Sequence, residues 1–479
     1  MSEKITNIAK NTSFFTLALV LQKVISFTYF TLIARALGPE DLGKYYFAIS
    51  FAAIFSILMD LGLTNVLTRE IAKTKDKANE YFGAVLAIKL PLAVITGLTI
   101  VVLANLLGYS ELTKTLIYFA TACVILDSFS SAFFSVSRGF HNLTYESVAS
   151  VLFQLIVLAG GLIVLKLGLG LNWLIGALLA ASAFNFIYSL LVVKVWKIKL
   201  RPIFNLPLIK LIIKISISFG LFAVFQRVYN LVDTILLANL AGEYQVGIYQ
   251  IAFKITNALQ FLPLAFTASL YPAMSAYWSA NREQLSVTFE RSMNYLIIIS
   301  LPISFGLIAL ADKIILIFKT GYGEAILPLE INLAALVFMF AAYPIGSLLN
   351  ACDRQKINTI NMGITVAAAI ILNLILIPRY QAVGASITVL VTSILMLTLG
   401  IIQTPKIIVY RAKKIIITLG KSLAASLLMA AMIIYLKNYI PLFFMIALSG
   451  VAYLCLLYLM KGFAREDLFS LYHSFTRQK

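Results

Sequence analysis

Apolar runs of about 20 residues recur along the whole chain, separated by short polar or basic stretches. Each is long enough to cross a hydrocarbon core of about 30 Å as an α-helix, whereas barrel strands run only about 9–11 residues and alternate. The pattern predicts fourteen spans, at 13–36, 44–66, 81–107, 114–137, 146–168, 171–193, 211–238, 245–271, 293–311, 326–349, 359–377, 381–403, 418–436 and 440–460. An even count places both termini on one side of the membrane. The fold class is therefore an all-α polytopic membrane protein.

Composition agrees. The chain has 479 residues, 61% hydrophobic and 12% charged, against about 25% charged in soluble domains. Most of the 38 Lys and Arg fall on the side of the two tails, as in "TREIAKTKDKANE" (68–80), "KVWKIKLRPIFNLPLIK" (194–210) and "TPKIIVYRAKK" (404–414). The positive-inside bias makes that side cytoplasmic, in a cytoplasmic membrane. Orientation and attraction to anionic lipid account for the net charge of +18, so no nucleic-acid partner is called for. The N-terminal "MSEKITNIAKNTS" lacks a small-residue cleavage site, and no cleavable signal peptide is expected. Cys123, Cys352 and Cys455 lack pair spacing, and His141 and His473 stand alone in cytoplasmic segments. With no HExxH, Walker or GxSxG pattern, nothing points to a metal, a cofactor, an ATP-driven motor or an enzyme.

One phrase is written twice. "LIARALGPEDLGKYYFA" (32–48) returns 204 residues later as "LLANLAGEYQVGIYQIA" (236–252). Ala34, Gly38, Gly43, Tyr45 and Ala48 fall on Ala238, Gly242, Gly247, Tyr249 and Ala252. Upstream, Gln22-Lys23-Val24 falls on Gln226-Arg227-Val228. The shift spans six helices, an even number, so both copies enter the membrane with the same polarity. That is a parallel repeat about an axis along the membrane normal. It predicts two pseudosymmetric six-helix lobes, 1–200 and 201–405, followed by two further helices and a cytoplasmic tail in 406–479. The phrase itself builds the outer turn of a helical hairpin, since glycine readily ends a helix and Pro39 starts the next.

"ARALGPEDLGKYYFA", its echo, "DKIILIFKTGYGEAILPLEIN" (312–332), "NACDRQKINTINM" (350–362) and the pairs Gly176-Ala177 and Gly384-Ala385 together resemble the multidrug/oligosaccharidyl-lipid/polysaccharide exporter superfamily. Within it they are most similar to the polysaccharide, or O-antigen, flippases. The resemblance runs the full length. It implies two six-helix bundles and the transfer of lipid-linked sugars, and it leaves the sugar open.

Ionisable groups inside spans are costly and are by default functional candidates. The basic ones are Lys23, Lys89, Lys214, Arg227 and Lys254; the acidic ones are Asp60, Asp127, Asp233 and Glu330. Lys214 and Glu330 lie near span ends and can snorkel to water. Lys23 and Arg227 lie deep and are repeat mates, one from each lobe. Either they share an anionic ligand, with Lys254 as a third cation, or each pairs privately with a carboxylate such as Asp60 or Asp233. Gln226, Asn230 and Asp233 run i, i+4, i+7 on one helix; Gln250, Lys254 and Asn257 do the same on the next, with Gln260 following. These stripes, with Gln22, either line a watery wall that meets sugar hydroxyls or glue helices together. Asp60, Asp127 and Asp233 are candidates to carry a coupling H⁺ or Na⁺. Pro91, Pro263, Pro302 and Pro328 lie within spans and are candidate bends.

Given the resemblance, the substrate expected is a polyprenyl-diphosphate-linked oligosaccharide. Arg and Lys would hold its diphosphate, and its tail would stay in the bilayer. The last two spans form either a groove for that tail, as the resemblance implies, or peripheral packing. A polysaccharide polymerase that consumes the product outside is a candidate partner. The competing functions are a multidrug/cation antiporter of the same superfamily, an integral-membrane glycan polymerase or ligase, and a non-transporting scaffold. A cationic drug calls for an acidic cavity, a polymerase for an acid/base-rich outer loop, and a scaffold for no buried charge.

Overall fold

The computed structural model describes residues 2–462 apart from position 320, with side chains from residue 15 onward apart from 217–219. His473 and the rest of the tail lie outside the described residues. Among those described, all regular structure is helical. In chain order the α-helices are α1 (Ser2–Asp60), α2 (Leu63–Lys73), α3 (Ala78–Leu106), α4 (Glu111–Gly139), α5 (Thr144–Lys166), α6 (Leu171–Val195), α7 (Leu206–Ala241), α8 (Glu243–Leu259), α9 (Phe261–Ala280), α10 (Arg282–Ala309), α11 (Ala311–Ile315), α12 (Ile326–Ala351), α13 (Gln355–Gln403), α14 (Ala412–Leu436) and α15 (Leu442–Leu459). Twelve helical stretches among the described residues are long and apolar enough to cross a membrane.

Two of the twelve are too long to be single passes. A straight helix of 59 residues would run about 88 Å, nearly three hydrocarbon thicknesses. α1 instead folds back at Gly38, where φ is 75° and ψ 173°. Tyr29 and Tyr45 meet through their hydroxyls at 3.2 Å, and the rings of Phe30 and Tyr46 lie 5.8 Å apart, across that turn. α13 breaks likewise at Gln381, with φ 52°, and Thr365 meets the sulfur of Met396 at 3.5 Å across it. Counting each broken helix as two passes gives about fourteen, as hydropathy predicts. Of the four candidate bends, Pro91 and Pro302 lie inside α3 and α10. Pro263 stands in the first turn of α9, just past the break between α8 and α9, and Pro328 in the first turn of α12, where no helical hydrogen bond is lost.

Contacts divide the chain into two compact units, 1–250 and 251–479. The boundary follows α7, which packs on α1, α2 and α3; the lobe boundary at 200/201 rests on the duplication, which is a different property. The first unit has a core of Leu67, Phe82, Phe133 and Val193 with the apolar face of α2. In the second, Met274, Phe289, Ile345 and Leu348 form a core. There α15 is tied to α10 by the Tyr453 hydroxyl, which donates to the Ile298 carbonyl at 2.8 Å.

The repeat is visible inside the first unit, contact by contact. Gly242 has φ 89° and ψ 167°, the conformation of its mate Gly38. Positive φ is why glycine stands at both positions. Tyr249 donates to Asp233 at 2.9 Å, and Gln250 to Thr234 at 3.0 Å; these are the mates of the pairs Tyr45–Tyr29 and Tyr46–Phe30. The two hairpins also touch each other reciprocally. Gly43 lies against the carbonyl of Glu243, and Gly247 against the carbonyl of Pro39. Residue 243 is the mate of 39, and 247 the mate of 43, so one contact is made twice about a local two-fold.

A Cβ at Gly43 or Gly247 would overlap backbone carbonyl, which cannot rotate away. Gly43→Ala and Gly247→Ala are each expected to cost about 3 kcal/mol, read as a fall in detergent-solubilised thermal stability. Gly176→Ala, in α6 with open space around it, should be neutral or stabilising by about 0.5 kcal/mol. Equal behaviour of the three variants would contradict the packing described.

Candidate functional site

The glycine crossing just described joins the hairpin turn of α1 to the start of α8. Partway along α7, Gly220 lies against the Leu61 carbonyl, and a Cβ on Gly62 would be 3.0 Å from the Gly220 Cα. Gly62 has φ 87°, so glycine is required there for conformation as well as space. Next to this crossing the helices part around a cavity of about 700 Å³ within the first unit. Ser56, Asp60 and Gly62 line one wall; Gly220, Gln226, Arg227 and Asn230 line the other.

Arg227 is the cation of this cavity. Its Nε donates to the Ala53 carbonyl at 3.1 Å. Both terminal nitrogens are left without a hydrogen bond among the described residues. The carboxylates of Asp60 and Asp127 act on it electrostatically. Fifteen residues separate Arg227 from the turn at Gly242, about 22 Å along a helix, so the guanidinium sits at membrane depth. Gln226 and Asn230, both exposed to the cavity, flank it on the same helix.

Asp60 is engaged by another cation. Lys89 is completely buried. Its Nζ donates to the Ser128 carbonyl at 2.9 Å and the Ser128 hydroxyl at 2.8 Å, and lies 3.4 Å from Asp60 Oδ1. Asp60 also accepts from the backbone N–H of Thr64 at 3.3 Å and from the Thr64 hydroxyl, capping the start of α2. Asp127, half-buried on α4, accepts from the Ser182 hydroxyl at 3.2 Å. Around the cavity, then, one cation, Lys89, is fully enclosed, and the other, Arg227, faces open space.

The remaining sequence candidates disperse. Lys23 is exposed and Gln22 half-buried on the first arm of α1, and neither lines the cavity. Asp233 and Gln250 are 5% and 2% exposed and bond between α7 and α8, so they join helices rather than face a ligand. Lys254, Asn257 and Gln260 are half-buried on the second unit's side of the boundary. Gln260 takes a hydrogen bond from the Tyr343 hydroxyl at 3.4 Å and donates to the Met339 sulfur at 3.4 Å. Sequence reasoning named Lys89 among the cations within spans but gave it no partner. Its position eight residues after Tyr81, where span 3 opens, gave the signal: a lysine that far in cannot snorkel.

A family model described as "Polysaccharide biosynthesis protein" matches residues 8–278, more than half of the chain. The chain belongs to this family. A second model, MatE, matches residues 220–378. The chain is 22% identical over 391 residues to the capsular polysaccharide biosynthesis protein CapF of Staphylococcus aureus, covering 80% of this chain and 96% of that one. It is 23% identical over 371 residues to a Haloferax volcanii protein named as a probable low-salt glycan biosynthesis flippase, covering 76% of each. In three dimensions it is similar to the lipid II flippase MurJ in an inward closed conformation, with a TM-score of 0.78 at 16% identity, over 95% of this chain and 99% of that one. The fold is therefore the MurJ-like helical fold, and the protein is a multi-pass membrane protein.

The Lys89–Asp60 pair sets a stability prediction. Removing one partner of a buried pair typically costs about 3–5 kcal/mol; Asp60 keeps 40% of its side chain exposed, so the lower end applies. Asp60→Asn is expected to destabilise by about 2–3 kcal/mol, and adding Lys89→Met should recover most of it. Unfolding in detergent measures both. A double variant no more stable than Asp60→Asn would contradict the pairing.

Proposed function

We propose that the protein is a flippase that moves a polyprenyl-diphosphate-linked oligosaccharide, a precursor of cell-surface polysaccharide, across the cytoplasmic membrane by alternating access. The observation that carries this reading is Arg227: an arginine within a span, in a cavity, whose terminal nitrogens make no hydrogen bond among the described residues. A guanidinium offers paired donors that match phosphate oxygens, and in a low-dielectric cavity such charge-assisted bonds are strong. Gln226 and Asn230 supply amide donors and acceptors suited to sugar hydroxyls. The family and the relatives named for capsule and glycan flipping support the same substrate class.

In this reading both termini and the basic connections 194–210 and 404–414 are cytoplasmic, and the hairpin turns at Gly38 and Gly242 face outward. Lys23, the repeat mate of Arg227, lies equally far from its own turn. It serves the diphosphate when the first arm of α1 shifts. Asp127 is the best placed of the three acids to carry H⁺ or Na⁺. Asp60 already pairs with Lys89, and Asp233 accepts from the Tyr249 hydroxyl. Polymerisation of the glycan outside would draw the cycle forward.

The MatE match across 220–378 supports a second reading, export of cationic drugs against an ion gradient. The cavity argues against it, because its single lining acid, Asp60, is already paired, while its arginine is not.

Reconstitution in liposomes with a lipid-linked oligosaccharide tests the proposal, with exposure of the diphosphate outside as the readout. Arg227→Ala should lose about 10- to 150-fold in activity, the worth of one charge-assisted hydrogen bond of about 1.5–3 kcal/mol. Arg227→Lys should fall between, and Lys23→Ala should lose activity while Lys23→Arg retains it. Membrane abundance should stay at wild-type level, since loss of a charge makes a span more apolar. Wild-type flipping by abundant Arg227→Ala protein would refute the site.

A further inference from the structure

The second unit carries another cavity, of about 340 Å³, where α10 and α14 end and α15 begins. It lies at the end of α14 remote from the basic connection 404–414. Lys313, Lys437, Asn438 and Tyr439 line it, with Leu310 and Leu442. Two lysines converge there with no acid among the lining residues. Lys437 is partly committed: its Nζ donates to Asp312 at 2.8 Å and to the Ala309 carbonyl at 3.2 Å, which leaves one proton. Glu330 also acts on Lys437 and Asp312 electrostatically, but neither acid lines the cavity. Lys313 is half-buried; the Asp312 carboxylate acts on it electrostatically, and among the described residues its ammonium lies within 4 Å of no carboxylate.

A third donor faces the same space. α15 is 18 residues long and starts after Pro441, whose carbonyl receives the N–H of Met445. The N–H groups at 442–444 therefore have no intrahelical partner, and the helix dipole adds partial positive charge. Lysines and free N–H groups together form a site for a compact anion. Exposed aromatic side chains stand beside it: Tyr439, Phe443 and Phe444 are 81%, 80% and 73% exposed.

We propose that this cavity binds the phosphate of a membrane lipid head group, with Lys313 and the start of α15 as its donors and the exposed aromatic residues against the acyl chains. A soluble phosphate has the same chemistry and is the other source. The site is independent of the Arg227 cavity and does not rest on the flippase reading.

Native mass spectrometry of the full-length protein in detergent tests it, with three probes: dioleoyl phosphatidylglycerol, dioleoylglycerol and inorganic phosphate. Phosphatidylglycerol should be retained and dioleoylglycerol should not. Lys313→Gln should weaken retention about fivefold, the effect expected of one basic residue near a membrane surface. Lys313→Arg should restore it. Retention that inorganic phosphate displaces at millimolar concentration assigns the site to phosphate from either source; retention that it does not displace assigns it to lipid. Lys313→Gln protein that retains phosphatidylglycerol as well as wild type, or equal retention of dioleoylglycerol, overturns the proposal.

Discussion

Backbone-to-backbone contact sets how α7 and α8 lie against α1. At the start of α8, Gly43 and Gly247 press against the carbonyls of Glu243 and Pro39; partway along α7, Gly220 presses against Leu61. In a bilayer, lipid tails are as apolar as leucine, so helices associate by close packing of small residues rather than by a hydrophobic drive. A side chain at these positions would part the helices. Between these two contacts α7 borders the cavity. Arg227 faces that space, and its one hydrogen bond among the described residues goes to the Ala53 carbonyl.

The charges follow the same geometry. Lys89 is enclosed and satisfied by Ser128 and Asp60. Burying an ion is tolerable only with such a set of partners. Arg227 borders open volume and retains unused donors, the condition under which a cation at membrane depth awaits an anion. Two cations in one unit thus take different roles: Lys89 is enclosed 3.4 Å from Asp60, and Arg227 borders the cavity.

The hydropathy pattern made the helices legible because a span of about 20 apolar residues has no other stable form in lipid. The duplication was legible because Gly38 and Gly242 must both be glycine to take positive φ. The reciprocity of Gly43 and Gly247 was not, since a sequence records a glycine without saying what presses against it. The polar stripes were only half legible. Periodicity put Asp233 and Gln250 on the faces of their helices correctly, but a face can meet a neighbouring helix or a cavity, and here both meet the neighbour. The pairing of Asp60 with Lys89 crosses 29 residues and joins two helices, and no local pattern encodes it.

The account turns on Arg227 holding a diphosphate. Binding of a polyprenyl diphosphate to the purified protein in nanodiscs, compared with the Arg227→Ala variant, tests that most directly. The account predicts an affinity at least about tenfold higher for the unsubstituted protein, with the difference reduced when a polyprenyl monophosphate replaces the diphosphate. Equal affinity of both proteins for the diphosphate would contradict it.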